Sequence, residues 1–131
     1  MSPDLKYLLF STILCFVQVL VAAAGANQSV GLSTLAGNRE GLGEFKGWTG
    51  RAMRAHRNMI ENLVLFAALV LIAAAAGKAN AATAMGAMIF FWSRLAYAII
   101  YVAGVAWLRT VAWFVSVIGM AIIAFELLKA V

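Results

Sequence analysis

Four long apolar segments are the feature that most constrains how this chain folds. They cover approximately residues 5–26, 58–76, 81–105 and 110–129. Each is close to the ~20 residues that an α-helix needs to cross the hydrocarbon of a bilayer. Backbone polar groups inside lipid must be satisfied within the chain, so all four segments are expected to be helices. The predicted fold class is all-α: one domain over residues 1–131, an integral membrane four-helix bundle.

Composition agrees with a membrane protein and excludes several kinds of site. Hydrophobic residues make up 65% of the sequence and charged residues only 11%, whereas a soluble domain carries about 25% charged residues. There is one cysteine, Cys15, and one histidine, His56. A disulfide framework and a cysteine or multi-histidine metal centre are therefore excluded, and no metal site is predicted.

The first apolar segment has some features of a signal peptide, because Ala22-Ala23-Ala24 resembles a cleavage site. Its apolar run exceeds the ~7–15 residues of a signal core, and both Asp4 and Lys6 stand at its start. A retained first helix is therefore expected.

The connections between the segments predict an up-and-down, antiparallel arrangement. The only sizeable polar stretch, Asn27–Trp48, contains five glycines and is predicted to be a loop. The connections at Gly77–Asn80 and around Trp107-Leu108 are short, as is typical of antiparallel neighbouring helices. Alanines and three glycines are expected to let helix backbones approach closely: Gly86, Gly104 and Gly119.

Lysine and arginine are distributed unequally between the two ends of this bundle. Six lie at the end that carries the long loop, namely Arg39, Lys46, Arg51, Arg54, Arg57 and Arg109. Three lie at the other end, namely Lys6, Lys78 and Lys129. The positive-inside rule predicts that the 27–57 loop is cytoplasmic and both termini are outside. The alanine-rich chain, with no eukaryotic targeting signal, suits a bacterial inner membrane. The positive-inside rule also accounts for the net charge of +5, so no nucleic-acid partner is expected.

A polar stripe leads into the second apolar segment. Arg54, Arg57, Asn58 and Glu61 fall within about 100° of one another around a helix. Such residues are costly in hydrocarbon, so the stripe is expected to face other helices or a ligand.

The third segment carries a charge deep inside the membrane. Arg94 lies roughly 15 Å from the cytoplasmic end of its helix, with Tyr97 and Tyr101 on the same face. Glu61 is the expected counter-ion, because no other acid is placed at a comparable depth. An Arg94–Glu61 pair that only joins two helices is an alternative, and it is compatible with a ligand site built around the pair.

Arg109 and Thr110 stand at the start of the fourth segment. Unpaired N–H groups at a helix N-terminus attract anions, and an arginine strengthens this effect. The alternative for Arg109 is a side chain that extends to the membrane interface with no ligand.

These groups together predict a cavity for a small polyanion that also carries a cation for Glu61. Glutathione fits, because it has two carboxylates, an ammonium and a thiol, and arginine binds carboxylates through a planar fork. Arg109 near the thiol would lower the pKa of that thiol and make it nucleophilic. The residues by themselves also allow a different anion.

The same residues resemble a known family. The run from Arg54 to Asn62, the Arg94, Tyr97 and Tyr101 series, and Arg109-Thr110 followed by Trp113 are similar to the MAPEG family, the membrane-associated proteins in eicosanoid and glutathione metabolism. That family includes microsomal glutathione transferases, leukotriene-C synthase and microsomal prostaglandin E synthase. The resemblance implies a homotrimer of four-helix subunits, with glutathione bound between neighbours toward the cytoplasm.

The resemblance also implies a role for each site residue. Arg109 would be catalytic and stabilise the thiolate. The remaining site residues would bind glutathione: Arg54, Arg57, Asn58, Glu61, Arg94, Tyr97, Tyr101 and Thr110. Tyr97 is a histidine in some relatives, and the spacing from Tyr101 to Arg109 differs from some mammalian members. Neither Arg39 nor Arg51 receives a role.

The expected function is that of a membrane-bound glutathione-dependent enzyme. Its thiolate would conjugate lipophilic electrophiles or reduce hydroperoxides, with the lipophilic substrate arriving from the bilayer. A non-catalytic lipid-binding or scaffold protein of the same fold is one alternative. A small multidrug or cation exporter is another, although residues 5–26 contain no acid for coupling. Transferase, peroxidase and isomerase chemistry are not distinguished by the sequence.

Overall fold

Four long α-helices form an antiparallel bundle in the computed structural model, which describes residues 1–131. The helices are α1 (Pro3–Val30), a short α2 (Leu32–Ala36), α3 (Gly47–Ala75), α4 (Ala81–Ala103) and α5 (Ala106–Leu128). All but α2 are long and apolar enough to cross a membrane. The predicted all-α, four-span fold is confirmed, and the chain is an integral multi-pass membrane protein.

The helices extend beyond the apolar segments that predicted them. The second segment was expected to begin near residue 58, but α3 begins at Gly47, so the last part of the predicted 27–57 loop is helical. Hydropathy marks only the part of a helix that lies in hydrocarbon. The additional turns of α3 are stabilised because Thr49, Ala52 and Ala55 are buried against the rest of the bundle.

Local capping signals set the bounds of α4. The Asn80 side chain accepts the backbone N–H groups of Ala82 and Thr83, and Thr83 accepts the backbone N–H of Asn80, which makes a capping box. Gly104 ends the helix in the left-handed region, at φ 89°. Gly104 thus forms a turn, and the expectation that it lies at a helix–helix contact was wrong. The turn sets the start of α5 beside the end of α4.

The backbones of α4 and α5 touch where two glycines face each other. A Cβ atom on Gly86 would lie 2.6 Å from the carbonyl oxygen of Gly119, and one on Gly119 would lie 2.7 Å from that of Gly86. Small residues allow such contacts in lipid, where apolar burial does not drive helices together. The expectation for these two glycines is confirmed.

Apolar packing fills the half of the bundle that lies away from the arginines. Phe66 of α3 stacks on Phe90 of α4 with ring centroids 3.9 Å apart. Met59, Val70 and Ile123 are fully buried in the same cluster. This core fixes the positions of α3, α4 and α5 relative to one another. It thereby also positions the polar residues that lie one to three turns away.

We expect Gly119→Ala to lower the unfolding free energy by about 1–3 kcal/mol. The new methyl group would lie 2.7 Å from the Gly86 carbonyl oxygen and 2.9 Å from the Phe90 nitrogen, and backbone atoms cannot move aside cheaply. Thermal unfolding in detergent, followed by helical circular dichroism, measures the change. Gly43→Ala is the matched control, since a Cβ atom there meets nothing within 4 Å. Equal melting temperatures for the two variants would contradict the packing described.

Candidate functional site

A polar cleft opens between α3 and α4, near the end of the bundle where most arginines lie. Its volume is about 200 Å³. Six side chains line it, all of them predicted site residues: Arg54, Arg57, Asn58, Glu61, Tyr97 and Tyr101. The structure therefore brings together residues of α3 and α4 that lie far apart in the sequence.

Tyr101 lies between two arginines from different helices. The Nε of Arg54 donates to the Tyr101 hydroxyl over 3.3 Å. From α5, the Arg109 guanidinium carbon lies 4.3 Å from the centroid of the Tyr101 ring, which is a cation–π contact. Because the phenol oxygen accepts from Arg54, its own proton is free to be donated to a ligand.

Arg94 lies beneath the cleft. It is 1% exposed and is absent from the cleft lining. Its Nη2 donates to the Asn58 Oδ1 over 2.9 Å, and its guanidinium carbon lies 4.2 Å from the Tyr97 ring centroid. Arg94 therefore supports two residues that line the cleft.

The expected ion pair between Arg94 and Glu61 does not form. The one ion pair in the chain joins Lys129 and Glu126 at the opposite end. Glu61 is exposed and lines the cleft. Glu61 lies three positions after Asn58, about 60° around the helix, so both line the cleft. Arg94 donates to Asn58, and the Glu61 carboxylate is left on the exposed side.

Asn62 is a functional candidate that the sequence reasoning missed. It is 9% exposed, and its Nδ2 donates to both the backbone oxygen of Asn58, over 2.9 Å, and the Asn58 Oδ1, over 3.2 Å. The Asn58 Oδ1 thus accepts from Asn62 and Arg94, which leaves the Asn58 Nδ2 as the donor available to a ligand. A polar residue one turn after Asn58 in an apolar helix was the available signal.

Arg109 contacts a residue of the cleft, whereas Thr110 does not. α5 begins at Ala106, so Arg109 ends its first turn and reaches Tyr101. Thr110 is exposed, and its hydroxyl donates to the backbone oxygen of Ala106 over 3.3 Å. Thr110 is not brought into the cleft.

The two arginines without a predicted role have structural partners. The Arg51 Nε donates to the backbone oxygen of Val102 over 2.9 Å, near the C-terminus of α4, where a cation is favourable. The Arg39 Nε donates to the backbone oxygen of Leu35 over 2.7 Å, in the short helix α2. Arg51 thereby links the start of α3 to the end of α4, beside the cleft.

A comparison with models of protein families shows to which family this chain is related. The model of the MAPEG family matches residues 7–129. The chain belongs to the MAPEG family. Neither the comparison with curated proteins nor that with solved structures finds a significant match. The MAPEG match covers all residues of the cleft and the helices that carry them. The family includes glutathione-dependent enzymes and non-catalytic members.

We expect Arg94→Ala to lower the unfolding free energy by about 2–4 kcal/mol. The change leaves a cavity where the buried Arg94 side chain was and removes one of the two donors to the Asn58 Oδ1. Arg57→Ala is the matched control, because Arg57 is exposed and its loss should change stability by less than about 0.5 kcal/mol. Chemical denaturation of both variants in the same detergent measures the difference. Equal effects would contradict a supporting role for Arg94.

Proposed function

We propose that this MAPEG protein binds glutathione in the cleft and activates the thiol for reaction with lipophilic electrophiles or hydroperoxides. The observation that carries the proposal is the charge pattern of one small cleft. Arg54 and Arg57 offer cations, Glu61 offers an anion, and Tyr101 offers a phenol beside Arg109. Glutathione has the complementary groups: two carboxylates, one ammonium and one thiol.

Binding rests on the side chains of α3. Arg54 and Arg57 are exposed on the cleft, and guanidinium forks bind carboxylates in a bidentate manner. Glu61 makes no ion pair within the chain, so its carboxylate is available to the ammonium of the ligand. Asn58, oriented by Asn62 and Arg94, offers its amide donor.

Activation of the thiol rests on α4 and α5. Bound glutathione supplies the nucleophilic sulfur. Arg109, in the first turn of α5, adds its charge to the partial positive charge of the helix N-terminus and favours the thiolate. The Tyr101 hydroxyl keeps a proton to donate to the sulfur, because Arg54 occupies its oxygen. Arg94 under Tyr97 adds a second positive charge below the site.

The open side of the cleft supports an oligomer. Glu61 lies fourteen residues before the end of α3, or about 21 Å, which is inside the ~30 Å hydrocarbon layer. An exposed carboxylate at that depth is costly against lipid. We therefore propose that a second copy covers this side, in the homotrimer that the family suggests. The lipophilic substrate would enter from the surrounding bilayer.

The unequal distribution of arginines between the two ends of the bundle supports an orientation in the membrane. The end of the bundle with Arg54, Arg57 and Arg109 would be cytoplasmic by the positive-inside rule. Both termini would then lie outside, and the cleft would draw on cytoplasmic glutathione. A bacterial inner membrane is the location that we propose.

We expect calorimetric titration of glutathione into the detergent-purified protein to show saturable binding. Arg57→Ala should weaken it at least about tenfold, because a charge-assisted contact is worth ~1.5–3 kcal/mol. The exposed Lys6, at the other end of the bundle, provides the control Lys6→Ala with unchanged affinity. Absence of binding to folded protein would leave a lipid-binding or scaffold role within the same fold.

We expect Arg109→Ala to lower kcat by about 10²–10³-fold, since its contact strengthens as the thiolate forms. Glutathione affinity should change by less than about threefold. Turnover with a lipophilic electrophile and the ultraviolet absorbance of the bound thiolate are measured together. Lys78→Ala, at the opposite end, is the charge-matched control. Equal losses of affinity and turnover would contradict the assigned role.

A further inference from the structure

A second, apolar groove lies on the other side of α4 from the cleft. Its volume is about 490 Å³, and α1, α3 and α4 form its walls. Along α4 it extends from Leu95 to Ala103, which is about 12 Å at the helix rise. The cleft uses Tyr97 and Tyr101 of the same helix, so α4 separates the two spaces.

Gln18 is the one polar residue in the groove lining. Ten of the eleven lining residues are hydrophobic. The Gln18 side chain is 9% exposed, and its Oε1 has no hydrogen-bond partner. Gln18 lies near the middle of α1, at hydrocarbon depth. An unpartnered amide there costs several kcal/mol, so this side chain is expected to find a partner from outside the chain.

The chemistry of that partner can be deduced from the groove. The lining carries no charge, so the part of a ligand that lies in it is neutral. Acyl chains fill apolar space but offer no hydrogen-bonding group. A hydroxyl both donates and accepts, and it therefore satisfies a glutamine amide in either orientation.

We propose that this groove binds a lipophilic molecule whose hydroxyl group hydrogen-bonds to Gln18. The ligand lies along α4 in the half of the membrane nearer the arginines, with its chain against Leu95, Ala98 and Val102. This site is independent of glutathione, because none of the cleft residues lines it. The proposal for this groove applies whether the protein is an enzyme or a non-catalytic member of the family.

The test compares two probes with the same decyl chain, one of which has a hydrogen-bond donor and the other a methyl group in place of the hydroxyl hydrogen. Tritiated 1-decanol and decyl methyl ether are titrated into lipid nanodiscs that contain the protein, with empty nanodiscs as the blank. The alcohol is expected to bind saturably, with one molecule per chain, and about five- to tenfold more tightly than the ether. Gln18→Leu should keep the groove, retain the weaker ether binding and remove the preference for the alcohol.

A second variant tests the location. Ile99 lines the groove and is 63% exposed, so Ile99→Trp can fill the space without crowding the core. This variant should bind neither probe while its glutathione titration matches wild type. Equal binding of both probes by wild type, or an alcohol preference that survives Gln18→Leu, would overturn the proposal. The proposal would also be overturned if nanodiscs with the protein took up no more of either probe than empty nanodiscs do.

Discussion

A buried guanidinium between α3 and α4 is the interaction on which the cleft depends. Arg94 is almost fully covered, yet it has only the Asn58 oxygen and the Tyr97 ring as partners. A charge at this depth is too costly to be left without function or partner. The hydrogen bond to Asn58 joins α4 to α3 and fixes their relative position, while the contact with Tyr97 lies within α4. That relative position turns the polar stripe of α3 toward the tyrosines of α4.

The remaining helix contacts make this geometry rigid. Gly86 and Gly119 bring α4 and α5 to backbone contact, and the Gly104 turn sets the start of α5 next to the end of α4. Arg109 consequently reaches the Tyr101 ring from a different helix. Tyr101 then joins three helices, because Arg54 of α3 donates to its hydroxyl.

The two faces of α4 have different chemistry. One face carries Arg94, Tyr97 and Tyr101, and it meets the charged residues of α3. The other carries Leu95, Ala98 and Val102, and it meets α1 across an apolar groove with Gln18. A single helix thus separates a space suited to a polyanion from one suited to a neutral lipophile. Such a division would allow the two proposed ligands to bind the same subunit without competing.

The fold class, the number of spans and the six residues of the cleft lining can be predicted from the order of the residues alone. Helix length, hydropathy and charge placement act locally, and a helix surface can be deduced from residue spacing alone. Which side chains bind one another depends on how the helices pack. Arg94 binds Asn58 rather than Glu61, Asn62 joins the network, and Thr110 turns back to its own helix. These outcomes depend on the rotation of each helix against its neighbours, which Gly86, Gly119 and the core side chains set, and spacing along one helix carries no information about that rotation.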